Sequence, residues 1–139
     1  MSMTSQMMAL TCVALIATAP ALAADYGTAT DSAAGGAKSS ETASGRLTTA
    51  DGMSLYVFDK DSVGKSNCYG DCAVEWPPMT ATANASPSSP NVSVIRRNNG
   101  TSQWAWMGRP LYLFDEDLAR GDMKGDSYSP DWHLARATQ

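Results

Sequence analysis

The chain has 139 residues, with 14 acidic and 10 basic side chains that give a formal net charge of −4. This length allows one domain once a leader has been removed. A mildly acidic chain is a poor candidate for binding polyanions, so no nucleic-acid partner is expected.

Residues 1–23 are interpreted as a cleavable export signal, because they carry no charged side chain and end in the small-x-small pattern Ala21-Leu22-Ala23. The apolar run is shorter than the ~20 residues of a membrane span, so no stable span is expected after cleavage; an uncleaved anchor is the alternative. Cys12 lies inside the run, unlike the cysteine of a lipoprotein signal, so no lipid anchor is expected. We therefore predict a periplasmic or secreted protein beginning near Ala24.

Residues 24–45 contain mostly Ala, Gly, Ser and Thr. Such side chains bury too little apolar surface to offset the entropy lost on ordering, which predicts a flexible tether. The folded domain is then expected over residues 46–139.

The first half of this domain is predicted to open with a β-hairpin, since Asp51-Gly52 separates two β-prone runs. In its second strand, residues 53–58, Leu55 and Val57 point to one face and Tyr56 to the other. Both faces are apolar, so the strand is expected to be covered on both sides. Residues 72–76 could make one helical turn before Pro77.

The second half is predicted to follow a polar linker at residues 80–91. Its predicted strands cover residues 92–96, 101–107, 111–114 and 132–135, with turns at 98–100 and 108–110 and a long loop at 118–131. No amphipathic helix is predicted.

A repeat relates the two halves: GMSLYVFDKD at residues 52–61 recurs as GRPLYLFDED at 108–117, and the same offset of 56 residues relates Trp76 to Trp132. The copies cover about 46–79 and 92–136, and each is too small to be stable alone. We predict an all-β fold, a small antiparallel β domain built from two related halves with pseudo-two-fold symmetry. Packing the halves together would bury one shared set of aromatic residues, namely Tyr56, Phe58, Tyr112, Phe114 and the tryptophans.

The repeated segments resemble a bacterial secreted-repeat family of predicted lipoproteins whose function is unknown. The resemblance rests on a YX(F/W/Y)XXD motif present twice, as Tyr56, Phe58 and Asp61 and as Tyr112, Phe114 and Asp117. The cysteine loop at 67–72 with Trp76, and the segment from Gly121 to Trp132, also look like this family. The resemblance covers roughly residues 46–136 and implies no established activity.

Cys68 and Cys72 are expected to form a disulfide, because an exported chain meets an oxidising compartment. The alternative is thiol chemistry, in which both thiolates and His133, the single histidine, would bind Cu(I). The second copy has Lys124 and Tyr128 at the corresponding positions, so the fold does not require this bond in both halves.

Two further chemical interpretations concern the second half. Asp131 and His133 share one face of the predicted closing strand with Ser129 nearby, which could form a nucleophile–base pair; a packed or surface histidine is the simpler interpretation. The acidic loop offers oxygen ligands for a divalent cation, and its weak candidate ligands are Asp117, Asp122 and Asp126, with His133 beside them. Its spacing differs from a known calcium loop, so turn geometry is the simpler explanation.

We therefore expect an exported cell-envelope protein, a non-enzymatic binding or interaction domain whose partner is an unidentified envelope component. No catalytic residue and no cofactor are predicted. The alternative is a periplasmic protein that handles copper or electrons through Cys68, Cys72 and His133, or a divalent cation at the acidic loop.

Overall fold

The computed structural model describes residues 40–126 and 128–138. The predicted export signal and residues 24–39 of the predicted tether lie outside this part of the chain. The described elements are β1 (Ser40–Glu41), β2 (Leu47–Thr48), β3 (Tyr56–Phe58), α1 (Asp71–Glu75), β4 (Thr80–Ala81), β5 (Val92–Arg96), β6 (Ser102–Trp106), β7 (Arg109–Pro110) and β8 (Trp132–Leu134). None of the described helical structure is long and apolar enough to cross a membrane.

Every strand pairing within the described residues is antiparallel. β1 pairs with β2, β3 pairs with β8, and β6 pairs with β4, β5 and β7. The β3–β8 pairing joins the first repeat to the end of the second, so neither half is a separate sheet. The predicted all-β, antiparallel fold is confirmed.

The predicted first hairpin forms, and its turn is closed by Gly52 N–H donating to Thr49 O at 2.9 Å. Gly52 has a φ of 86°, a left-handed conformation that glycine adopts without a Cβ clash. Residues 40–45 also belong to the folded region, because β1 pairs with β2 and Thr42 N–H donates to Arg46 O at 2.9 Å. The ordered chain thus overlaps the end of the predicted tether, since backbone pairing needs no large side chains.

The second half differs from its prediction in three places. The turn after β6 is the two-residue pair Met107–Gly108, with φ values of 49° and 80°, so residues 109–110 form β7 rather than a turn. Residues 111–114 make isolated bridges at Tyr112 instead of a continuous strand. Residues 80–81, placed in the linker by their composition, form β4, because β6 offers them a free edge.

Two hydrophobic clusters lie on opposite faces of the repeated strands. We call the first the aliphatic core; its buried members are Leu47, Leu55, Val57, Met79, Val92, Trp104, Leu111 and Ala135. We call the second the aromatic core; its buried members are Tyr56, Cys68, Trp76, Tyr112, Phe114, Trp132 and Leu134. Leu55 and Tyr56 thus enter different cores, as their alternation predicts.

The tryptophans do not bury together as expected. Trp76 and Trp132 lie in the aromatic core, whereas Trp104 belongs to the aliphatic core and Trp106 packs against it. Trp104 and Trp106 share strand parity on β6, and that strand presents both to the aliphatic side.

Equivalent residues of the two halves contact each other directly. Tyr56 N–H donates to Tyr112 O and Tyr112 N–H donates to Tyr56 O, both at 2.9 Å. The rings of Trp76 and Trp132 stack with centroids 3.9 Å apart and planes 4° from parallel. Reciprocal backbone bonds repeat the relation at other equivalent positions, from Met79 N–H to Leu111 O and from Ala135 N–H to Leu55 O. The pseudo-two-fold axis therefore passes between the two tyrosines.

Candidate functional site

The motif tyrosines and aspartates bond across the two halves. Tyr56 Oη donates to Asp117 Oδ2 at 2.7 Å, and Tyr112 Oη donates to Asp61 Oδ2 at 2.6 Å. The second carboxylate oxygen of each aspartate accepts a backbone N–H from its own loop, that of Asn67 or Lys124. Each motif aspartate therefore fixes the loop of its own copy and the tyrosine of the other copy.

Burial sets the protonation of this network. Burial raises the pKa of Tyr56 and Tyr112 well above the usual value of a tyrosine, and the neighbouring carboxylates raise it further. Burial also raises the pKa of Asp61, an effect that the bonds from Tyr112 and from Asn67 N–H oppose. Neutral phenols therefore donate to one buried carboxyl group, that of Asp117, and to one half-buried carboxyl group, that of Asp61, an arrangement suited to holding the halves together.

A buried arginine extends the network on the side of the first loop. Arg97 is 3% exposed, and it donates to Ser66 Oγ at 2.8 Å, to Gln103 Oε1 at 2.6 Å and to Cys68 O at 2.5 Å. Ser66 Oγ also lies 2.7 Å from Tyr112 Oη, which connects Arg97 to the Tyr112–Asp61 pair. Sequence reasoning missed this arginine, because a single basic residue after a strand carries no sign of burial.

Cys68 and Cys72 form a disulfide, with Cα atoms 5.3 Å apart. Cys68 is fully buried in the aromatic core, and Cys72 lies on α1. Asn67 N–H donates to the motif aspartate of the first half, and Lys124 N–H donates to that of the second half. Lys124 is therefore equivalent to Asn67, and the next residue, Gly125, occupies the position of Cys68. The offset between the copies is thus one residue larger in this loop than the 56 residues that relate the repeated strands, so the assignment of Lys124 to the position of Cys68 is wrong. A Cβ on Gly125 would lie 2.8 Å from the nearest Trp76 ring atom.

His133 does not pair with Asp131. Its Nε2 lies 2.9 Å from Asp59 Oδ2, Arg109 donates to the other oxygen of Asp59 at 2.9 Å, and Asp131 pairs with Lys60. Some burial works to raise the pKa of Asp59, but the bonds from His133 and Arg109 hold it below its usual value. His133 is exposed on β8, as the simpler interpretation predicts, and its partner comes from the first repeat.

The acidic-loop candidates are dispersed among separate hydrogen bonds. Asp117 Oδ2 accepts the hydroxyl of Tyr56 at 2.7 Å, and Asp126 Oδ1 accepts Leu134 N–H at 3.2 Å. Asp122 caps the backbone N–H groups of residues 118 and 119, which holds its pKa below the usual value. Among residues 40–126 and 128–138, no three or more His, Cys, Asp or Glu side chains are grouped so that they could hold a metal ion.

An open cavity lies between the first hairpin and the loop of the second half. Its volume is about 330 Å³, and its wall includes Arg46, Arg120, Gly52 and several threonines. Sequence reasoning missed this pair of arginines, because one precedes the first hairpin and the other lies in the second repeat, with no motif linking them.

These observations define a class of protein, a two-copy antiparallel β domain whose copies exchange tyrosine–aspartate bonds. A family model described as a secreted repeat of unknown function matches residues 38–80 and 93–136, one match for each half. The chain belongs to this family of secreted repeats, which confirms the resemblance found in its sequence. No curated protein and no solved structure gives a match.

Proposed function

We propose that this secreted repeat is a non-enzymatic binding domain that acts in the cell envelope, periplasmic or secreted, after cleavage of the signal at residues 1–23. The observation that carries the proposal is the reciprocal bonding of the motif residues. Tyr56 with Asp117 and Tyr112 with Asp61 bond each other instead of facing an open cleft. The motif residues thereby hold the two repeats together, and the outer surface remains for recognition.

The surface differs between the two repeats in a way that the fold does not require. In the first repeat, Asp59 is paired with His133 and Arg109, and its neighbour Lys60 is paired with Asp131. The positions equivalent to Asp59, Lys60, His133, Arg109 and Asp131 hold Asp115, Glu116, Pro77, Met53 and Glu75. One end therefore carries matched charges and the other carries acids, which supports directional contact with a partner.

Exposed apolar side chains add to this asymmetry. Tyr128 is 52% exposed beside Phe114, with ring centroids 4.9 Å apart, and Val74 on α1 is 72% exposed. A hydrogen bond with Glu75 raises the pKa of Tyr128. Aromatic and apolar side chains at a polar surface are typical of protein-binding sites.

The test uses mature protein purified from its native compartment and isolated envelope fractions. We expect the mature N-terminus at Ala24, no free thiol, no stoichiometric metal, and saturable co-sedimentation with one envelope fraction. Cys68→Ser should change stability but leave the binding at permissive temperature unchanged. A stoichiometric metal, or a thiol pair that cycles with a cellular reductant, would overturn the proposal in favour of metal or redox handling.

A second comparison tests the non-enzymatic part. His133→Ala removes an exposed side chain whose partner Asp59 retains Arg109, so the fold should remain intact. Envelope binding by this variant should stay within about fivefold of the unaltered chain, because an exposed pair is worth less than ~1 kcal/mol. A chemical turnover that disappears in folded His133→Ala would identify an enzyme instead.

A further inference from the structure

The cavity beside the first hairpin has two arginines in its wall. Arg46 and Arg120 both line it, and neither joins an ion pair with the side chains that the structure describes, those of residues 42–126 and 128–138. The Nε of Arg46 is buried and has no hydrogen-bond partner in that part of the chain. A buried donor without a partner costs about 1–3 kcal/mol, so this Nε contributes no hydrogen bond that would explain the position of Arg46 in the fold.

Within residues 42–126 and 128–138, the acidic residues nearest to Gly52 and Gly121 along the chain do not line the cavity. Asp51 is exposed within the hairpin turn, and Asp122 directs its carboxylate to backbone N–H groups of its own loop. No carboxylate among residues 42–126 and 128–138 lines the wall; its remaining members are threonine, alanine and glycine, at positions 42, 48, 49, 50, 52 and 121. In a chain of net charge −4, two arginines facing an open cavity form a local positive site.

Thr49 supplies a hydroxyl group to the wall that carries the arginines. Thr49 Oγ1 already accepts the N–H of Met53 at 3.1 Å, so its own hydroxyl hydrogen remains for another acceptor. The position of Arg120 follows from its packing, since its Nε lies 3.1 Å from the point where a Cβ would stand on Gly52. The hairpin and the loop are joined by Gly121 N–H donating to Gly52 O at 3.0 Å. The cavity wall is therefore held by backbone contacts.

The pseudo-two-fold symmetry offers an internal comparison, because it relates the cavity wall to an equivalent region elsewhere in the domain. Gly64 N–H donates to Gly108 O, and at the symmetry-related position Gly121 N–H donates to Gly52 O. Val63 and Arg120 each come directly before the donor glycine, so they are equivalent. Matching backbone bonds of Leu47 and Trp104 make Gln103 the equivalent of Arg46. Gln103 is fully buried and bonded to Arg97. Both arginines are thus replaced by uncharged residues where the same backbone recurs, so the fold itself does not require them.

We propose that this cavity binds an oxyanion, a phosphate or carboxylate group, between the guanidinium groups of Arg46 and Arg120. Guanidinium groups match both anions through paired N–H donors, and the hydroxyl of Thr49 can donate one further hydrogen bond. The volume of about 330 Å³ suits a small anionic group and one neighbouring moiety. This inference stands apart from the envelope interaction proposed above, because it depends on the cavity alone.

The test titrates the ¹⁵N-labelled mature chain with inorganic phosphate and, separately, with succinate, at constant ionic strength. Saturable shifts of the Gly52 and Gly121 amide signals are expected with at least one anion. Phosphate alone would indicate a phosphorylated ligand, succinate alone a carboxylate ligand, and both anions a site for either; each result supports the proposal. No saturable shift at these amides with either anion would overturn it, whatever the outcome of envelope binding.

Three variants separate a built site from general charge attraction. Arg120→Val introduces the residue found at the equivalent position, and Arg46→Gln introduces the other equivalent; each should weaken binding about tenfold or more. Arg96→Gln is the matched control, since Arg96 is the single arginine lining another open cavity of about 390 Å³. The amide spectrum of each variant reports whether it is folded. Equal weakening by Arg96→Gln, or unchanged binding by folded Arg120→Val, would overturn the assignment.

Discussion

Replacing Tyr56 by phenylalanine tests whether the exchanged tyrosine–aspartate bonds hold the two repeats together. The change removes only the hydroxyl, which donates to Asp117 Oδ2 at 2.7 Å and accepts Gly125 N–H at 3.3 Å. A hydrogen bond to a charged group contributes about 1.5–3 kcal/mol. Asp117 is 6% exposed, so water cannot readily replace the lost donor. We expect the free energy of unfolding to fall by about 2–3 kcal/mol.

The equivalent change in the other half, Tyr112→Phe, should cost less. Asp61 is more exposed than Asp117, and it keeps the N–H of Asn67 at 2.7 Å. Water can therefore reach the carboxylate, and a loss of about 1–2 kcal/mol is expected. The two symmetric substitutions should thus differ in a defined direction, with Tyr56→Phe the more destabilising.

Urea denaturation followed by tryptophan fluorescence measures both changes, provided that the denaturant slopes agree. Tyr69→Phe is the control, because its hydroxyl accepts Asn98 N–H at an exposed site, and it should cost less than about 0.5 kcal/mol. The reasoning is refuted if Tyr56→Phe falls within the range of Tyr69→Phe, or if Tyr112→Phe is the more destabilising substitution.

Three further predictions concern pH, the disulfide and the second loop. Because the folded pKa values of Tyr56 and Tyr112 lie above the ordinary 10.0, the stability that the two tyrosines contribute is fully present below pH 10.0 and is lost as the pH rises beyond it. Alkaline denaturation should show this loss of stability. Each phenylalanine variant should lose less stability over the same pH range. Removing the disulfide with Cys68→Ser and Cys72→Ser should cost about 2 kcal/mol by the loop-entropy model, measured by thermal melting against the oxidised chain, and an unchanged melting temperature would contradict it. Gly125→Ala should cost about 1–3 kcal/mol from overpacking, since its Cβ would lie within 3.0 Å of two buried rings; denaturant stability equal to that of the unaltered chain would disprove the close contact.

Local patterns predicted the elements whose side chains alternate. Residues 53–58 were expected to be covered on both faces, and Leu55 and Tyr56 do enter different cores, because strand geometry alone sends neighbours to opposite sides. The β5–β6 hairpin and the closing strand β8 followed from the same reasoning. These features depend on residues close together in the chain.

Features that depend on distant residues were not predictable. β4 forms because β6 provides an edge, although Thr80 and Ala81 have no strand signature of their own. Arg97 is buried because Ser66 and Gln103 are placed around it by different elements. The sequence spacing allowed His133 to pair with Asp131, but β3–β8 pairing brings it to an aspartate of the first repeat. In each case the contacting residue belongs to an element distant in the chain. The strand pairing that brings it near cannot be derived from the spacing of residues in the sequence.

The direct pairing of Tyr56 with Tyr112, and of Trp76 with Trp132, has a consequence for how such a chain can be built. An interface in which each residue meets its own copy is isologous, the geometry of a symmetric homodimer. A single repeat carrying both the tyrosine and the aspartate would therefore hold every group needed to assemble with a second molecule of itself. When two such copies are joined in one chain, their sequences can differ. A substitution such as Val63 in place of Arg120 then changes one copy only, whereas in a homodimer it would change both. The duplicated chain can keep a symmetric interior while its outer surfaces specialise independently.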